Sequence, residues 1–231
     1  RAGETYAVEE LLSGMTLREK LCQLMIVRPE VLTGESPVTA AGETTRLALE
    51  TYPVGGLIYS VDNLVTQEQT REMITNTQSY SKLPLFISAD EEGGNVGRLM
   101  YKLGTTWVNS MYSYKDEGAD TAYANAKTIG TDMVSCLFNT DFAPVADVWT
   151  NPENTVIGDR AYSDDFEQAA EIAFRAFSFT NHTVMPEALR RSGGAFLSGE
   201  ELGRQLGLSR TAVWKAVDAL RRAGYDIEAR T

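Results

Sequence analysis

With 231 residues, 43% of them hydrophobic and 23% charged, the chain has the make-up of a globular protein of one or two domains, which excludes disorder. The net charge of −11 comes from an acidic body: from Thr183 onward there are 8 basic and 6 acidic residues, against 13 basic and 26 acidic before it. Such a body argues against phosphate contacts while the mildly basic tail allows them, and no apolar run approaches the roughly 18 residues of a membrane-crossing helix.

Taken in chain order, the elements alternate between strand and helix. Thr16-Leu-Arg-Glu19 reads as a capping box opening a helix with Leu17, Leu21, Leu24 and Met25 on one face. Apolar runs of strand length lie around Leu24–Val27, Gly55–Tyr59, Leu83–Ala89 and Leu137–Val145. Segments of helical length, Asn63–Ser79 and Asp120–Ser135, separate them. A last helix is expected over Asp164–Phe177, with Phe166, Ala170, Ala173, Phe174 and Phe177 on a shared face. Strands spaced by helices imply parallel βα units. About four strand candidates, where a closed barrel takes about eight, make a partial barrel of TIM type, about half complete. Cys22 and Cys136 could pair, but two distant cysteines are more often buried thiols.

The composition changes between about Ser178 and Pro186, and two domains are expected, 1–182 and 183–231. In the second, Ser198-Gly-Glu-Glu201 caps a helix, Gly207-Leu208 turns, and Ser209 caps another. Two short helices on a glycine turn fit either a helix-turn-helix or a plain αα-hairpin. Gly224–Arg230 would be the first strand of a wing, making a small α-rich winged helix-turn-helix module.

Polar clusters fall where parallel α/β folds place their sites, at the C-terminal ends of strands. Leu85-Phe-Ile-Ser-Ala-Asp90 is a strand ending in a carboxylate, followed by Glu91, Glu92, Gly93 and Gly94. Phe142-Ala-Pro-Val-Ala-Asp147 reads as a second such strand, leading to a polar loop that ends in Asp159 and Arg160. Carboxylates accept bonds from vicinal hydroxyls and a guanidinium donates a fork, which suits a sugar. On spacing alone, the same acids could simply cap helices.

Four ordered blocks carry a resemblance. Thr16–Leu24, Gly55-Gly-Leu-Ile-Tyr59, Leu83–Arg98 with its Asp-Glu-Glu-Gly-Gly, and Phe142–Val148 with Ile157-Gly-Asp-Arg160 resemble glycoside hydrolase family 3, over about Leu11–Phe177. The resemblance implies a retaining exo-glycosidase barrel acting on β-linked sugars, β-N-acetylglucosaminides or β-glucosides. It implies that Asp90 holds sugar hydroxyls and that Arg160 contacts the bound sugar. Glu92, Gly93, Gly94 and Arg98 are implied as scaffold of that substrate site, with Arg98 pairing a carboxylate. No cofactor and no metal are expected.

A retaining glycosidase also needs a nucleophile and an acid/base. The family's nucleophilic Asp on a later strand and its Lys-His-Phe-Pro-Gly-His segment have no match in this sequence, so no catalytic residue is assigned and the chain is expected to be inactive alone. His182, the single histidine, stands in Asn-His-Thr-Val-Met-Pro and reads as incidental. Ser163-Asp164-Asp165-Phe166 reads as a helix N-cap.

Leu197–Lys215 with Leu220–Glu228 closely resembles the winged-helix domain of biotin operon repressor/biotin protein ligase proteins. That resemblance implies Arg210, Thr211, Trp214 and Lys215 as DNA contacts. Three readings stay open: a family 3 fragment that binds sugar, a DNA-binding regulator carrying a decayed sugar domain, and a junction produced by gene assembly. Exposed barrel edges would favour self-association. A secreted glycosidase and a DNA-binding module point to different compartments, which leaves the localisation open.

Overall fold

The computed structural model describes residues 8–177. The tail expectations, including His182, Arg210, Thr211, Trp214 and Lys215, lie outside the described residues.

Four strands form one parallel sheet in the order β1-β2-β3-β4: β1 Ile26–Val27, β2 Gly56–Ile58, β3 Phe86–Ala89 and β4 Thr140–Asp141. The four strands expected before residue 182 are each present and each shorter than its apolar run, while the expected wing strand Gly224–Arg230 lies outside the described residues. The fold is α/β, with a helix or helices between successive strands. Before β1 lie α1 (Val8–Gly14) and α2 (Leu17–Gln23). Between β1 and β2 lie α3 (Pro29–Thr33) and α4 (Glu43–Thr51). Between β2 and β3 comes α5 (Gln67–Tyr80), and between β3 and β4 come α6 (Leu99–Leu103) and α7 (Ala119–Ser135). The last helix of the described residues, α8, covers 166–177.

Two reciprocal bonds make the expected capping box of α2. The Thr16 hydroxyl accepts the Glu19 N–H, and the Glu19 carboxylate accepts the Thr16 N–H at 2.8 Å. Its apolar face does not enter the core, however. Leu17, Leu21, Leu24 and Met25 are all exposed, because β1 is the outer strand on this side and no described element covers it.

The main core lies between the sheet and its helices. Leu57, Ile87 and Ala89 from the strands, with Tyr59 just past β2, meet Leu49, Met73, Ile74, Leu99, Met133 and Phe138. A second cluster joins α8 to α7 through Ala169, Ile172, Ala173 and Ala176 against Met111, Tyr114, Ala122 and Tyr162. This corrects the expected face of α8: Phe166, Ala170, Phe174 and Phe177 are exposed, and only Ala173 of the expected set is buried. Small residues let the helix backbone approach its neighbours closely, which phenylalanines at those positions would prevent.

Both cysteines are free thiols; Cys136 is buried. Among the described residues no helix is long and apolar enough to cross a membrane.

Candidate functional site

β3 delivers three consecutive acids past its C-terminal end, and each is held differently. Asp90 pairs with Arg98 at 3.2 Å. Glu91 is buried, and its carboxylate accepts the main-chain N–H groups of Arg98, Leu99 and Met100, the last two at 2.8 and 3.1 Å. These are orphan donors at the start of α6, so Glu91 does for that helix what an N-cap side chain ordinarily does. Glu92 is also buried and receives a fork from Arg160, Nε and Nη2 donating at 2.9 and 2.8 Å. The bidentate geometry holds both groups in plane. The bonded carboxylate raises the Arg160 guanidinium above its usual pKa, a stabilisation of its charge.

The turn that follows depends on its two glycines. Gly93 and Gly94 have φ of +94° and +55°, a backbone region that side chains disfavour. A Cβ on Gly94 would also fall within 2.6 to 2.8 Å of Ser110 atoms. The Gly94 N–H donates to the Val108 carbonyl at 2.8 Å, which ties the turn to the segment before α7.

β4 supports the turn from the other side. Asn139 extends the ladder with its side chain, accepting the Ile87 N–H at 2.8 Å and donating to the Leu85 carbonyl at 2.9 Å. Asp141 lies beside Ala89 in the register and accepts the Glu91 N–H at 3.0 Å. Burial pushes the Asp141 carboxyl up to about 8; the Glu91 N–H opposes this, while the charges of Glu91, Asp90 and Glu92 add to it. A cavity of about 620 Å³ adjoins the cluster, lined among others by Glu91, Glu92, Asp141, Tyr114, Tyr162 and Phe138.

Of the sequence-predicted residues, Asp90, Glu92, Arg98 and Arg160 therefore converge on one turn. The sequence-based choice of Asp147 as the acid ending the second strand needs correction. β4 stops at Asp141, and Asp147 is exposed in the loop beyond. Pro144 has no N–H to donate, so the ladder cannot run through to Asp147. Glu91, Asn139 and Asp141 were missed. Among the described residues no group of three or more His, Cys, Asp or Glu side chains is placed to hold a metal ion.

The model of the glycosyl hydrolase family 3 N-terminal domain matches residues 16–188, three quarters of the chain. The chain belongs to glycosyl hydrolase family 3. This family 3 domain is followed by a match to a helix-turn-helix (HTH) domain over residues 185–231. Beta-hexosaminidase A of Pseudoalteromonas piscicida is 35% identical over 125 residues, covering 49% of this chain and 20% of that protein. The beta-hexosaminidase of Haemophilus influenzae strain Rd is 33% identical over 137 residues, covering 57% and 38%. The chain thus spans between a fifth and two fifths of these relatives. A family 3 beta-N-acetylglucosaminidase structure from Paenibacillus sp. FPU-7 is similar with a TM-score of 0.66 and 30% identity, covering 73% of this chain and 31% of that one. A family 3 member from Mycobacterium smegmatis gives 0.60 and 30%, covering 72% and 47%.

Proposed function

We propose that residues 1–182 form about half of a TIM-type family 3 barrel whose acidic turn binds the terminal sugar of a β-linked N-acetylglucosaminide or glucoside. The observation that carries this reading is the pair of ion pairs around one turn, Asp90 with Arg98 and Glu92 with Arg160. Asp90 keeps its carboxylate partly open and could accept two vicinal hydroxyls. Arg160 is oriented by Glu92 while its Nη1 donates to the Val156 carbonyl at 3.0 Å, so the guanidinium edge has a fixed direction. Fixed polar groups spend little entropy on binding, which suits recognition of a polar, multiply hydroxylated ring. The relatives named beta-hexosaminidase support the N-acetylglucosaminide over the glucoside.

Binding and hydrolysis separate in this reading, since a retaining mechanism needs two further groups across the scissile bond. Calorimetric titration of the full chain with N-acetylglucosamine should show binding that falls at least about tenfold in Asp90→Ala and Arg160→Ala. A chromogenic β-N-acetylglucosaminide should show no turnover above background. Equal sugar affinity in the two variants and the parent would overturn the site assignment. Turnover abolished by Asp90→Ala would overturn the expectation of inactivity.

A second reading rests on the helix-turn-helix match at 185–231. Residues 183–231 would then be a winged DNA-binding module of the biotin-repressor type, with Arg210, Thr211, Trp214 and Lys215 toward the duplex. The family 3 part would serve as a sugar-sensing domain. In either reading the open sheet edges favour self-association.

A further inference from the structure

Two aromatic rings stand exposed beside the acidic turn, outside its ion pairs. Tyr101 of α6 and Trp107 of the loop after it pack edge to face, with ring centroids 5.3 Å apart and planes at 89°. Tyr101 is 50% exposed and Trp107 56%. The perpendicular arrangement covers an edge of one ring and a face of the other, so each keeps open π-surface. Neither ring is loose. The Tyr101 hydroxyl donates to the Gly94 carbonyl at 3.0 Å, and the Trp107 indole N–H donates to the Asn109 side-chain oxygen at 2.9 Å. With both polar tips bonded inside the chain, what each ring offers a ligand is its flat apolar surface.

The backbone on either side of Trp107 is pinned as well. The Thr106 N–H donates to the Asp132 carboxylate of α7 at 2.7 Å, and the carbonyl of buried Val108 accepts the Gly94 N–H at 2.8 Å. The same segment packs against Gly93 so closely that a Cβ there would lie 2.8 Å from the Asn109 carbonyl oxygen. Both rings are therefore fixed to the turn that follows Asp90, Tyr101 by its hydroxyl and Trp107 by its neighbours in the chain. That turn continues β3, which is paired on both sides, by β2 and by β4, so the rings belong to neither outer edge of the sheet. A pyranose with equatorial substituents gathers its C–H bonds on its two faces. Such a face packs on an open π-surface through dispersion and weak C–H contacts.

We infer that Tyr101 and Trp107 form a second subsite, a stacking platform for the sugar next to the terminal one, so that the site takes β-linked oligosaccharides of at least two units in preference to a monosaccharide. This rests on the reading of the acidic turn as a sugar site. The turn supplies hydrogen bonds to the hydroxyls of the terminal residue, and the platform supplies apolar contact to a face of its neighbour. Rings already held in place lose little freedom when a ligand settles on them, which leaves most of the contact available as affinity.

Calorimetry of the full chain with N-acetylglucosamine and with its β-linked disaccharide, N,N′-diacetylchitobiose, should show the disaccharide binding at least about tenfold more tightly. Trp107→Ala should bring the two affinities together, and Trp107→Phe, which keeps a ring, should restore most of the difference. Indole fluorescence gives an independent readout. The disaccharide should shift the emission of the parent, and the shift should be lost in Trp107→Phe, where Trp149 and Trp214 remain. Equal affinities for the two sugars in the parent would overturn the proposal and leave the sugar reading standing. So would a Trp107→Ala variant that keeps the preference, including one that weakens both sugars alike, which would make Trp107 a support of the turn. Binding of neither sugar would overturn both readings.

Discussion

Asp141 is bonded through its carboxylate to the Glu91 N–H while three further acids surround it. An unfolded aspartate titrates near 3.9, and this one is pushed up to about 8 by burial. Between those values the folded chain holds a proton that the unfolded chain has lost. Stability from this group is therefore greatest below about pH 4, falls as pH rises through the window, and levels off above about 8. Asn at 141 would keep an oxygen for the Glu91 N–H and carry no charge. Asp141→Asn is expected to stabilise the chain by about 2 kcal/mol at pH 8 and to change little at pH 4. Urea titrations at the two pH values check this. Equal destabilisation at both pH values would show that the ionised form is the one the fold uses.

At the scale of elements, α6 is only five residues long and has no capping side chain of its own at Arg98. Its first turn depends on Glu91, seven to nine residues upstream. Glu91→Ala leaves three N–H groups without that acceptor and should cost about 3 kcal/mol in thermal or urea unfolding, with Glu91→Gln costing less. A loss under about 0.5 kcal/mol would mean the turn holds without it. This cap also shows where sequence reasoning ends. The Thr16 box was legible because both partners lie within four residues, whereas the Glu91 bonds close a loop with no spacing rule. The four strands were legible as apolar runs, and α5 and α7 as the spacers between them. The end of β4 was not, because an apolar run outlasts the hydrogen-bonded ladder and only Pro144 marks the limit. The buried face of α8 was missed for a related reason: phenylalanine weighs heavily in any count of apolar periodicity, yet alanine sets how closely two helices pack. Asp90, Glu92, Arg98 and Arg160 were placed by resemblance, and their pairing came only from the folded turn.

For the whole molecule, charge separates the two readings of function. A net charge of −11 repels phosphate at long range, so any DNA affinity must come from the basic residues of the segment 183–231, where 8 basic residues stand against 6 acidic ones. The full chain is expected to retard a palindromic operator-like duplex at low salt. Arg210→Ala combined with Lys215→Ala should abolish the shift, and the parent's affinity should drop steeply as salt rises. No retardation at low salt would remove the regulator reading and leave the sugar site untouched.

The consecutive order of the strands bears on how the chain is made. Each strand pairs with the one synthesised just before it, so the sheet can assemble in the order in which it leaves the ribosome. The acidic turn does not share this advantage. Glu92 emerges 68 residues ahead of Arg160, an interval of about 3 to 14 seconds at about 5 to 20 residues per second. During that time Arg98, which follows closely, can offset Asp90, but the Glu92 carboxylate is without its own guanidinium partner. The nascent turn must stay hydrated until Arg160 arrives, and closing it is the last step in building the site.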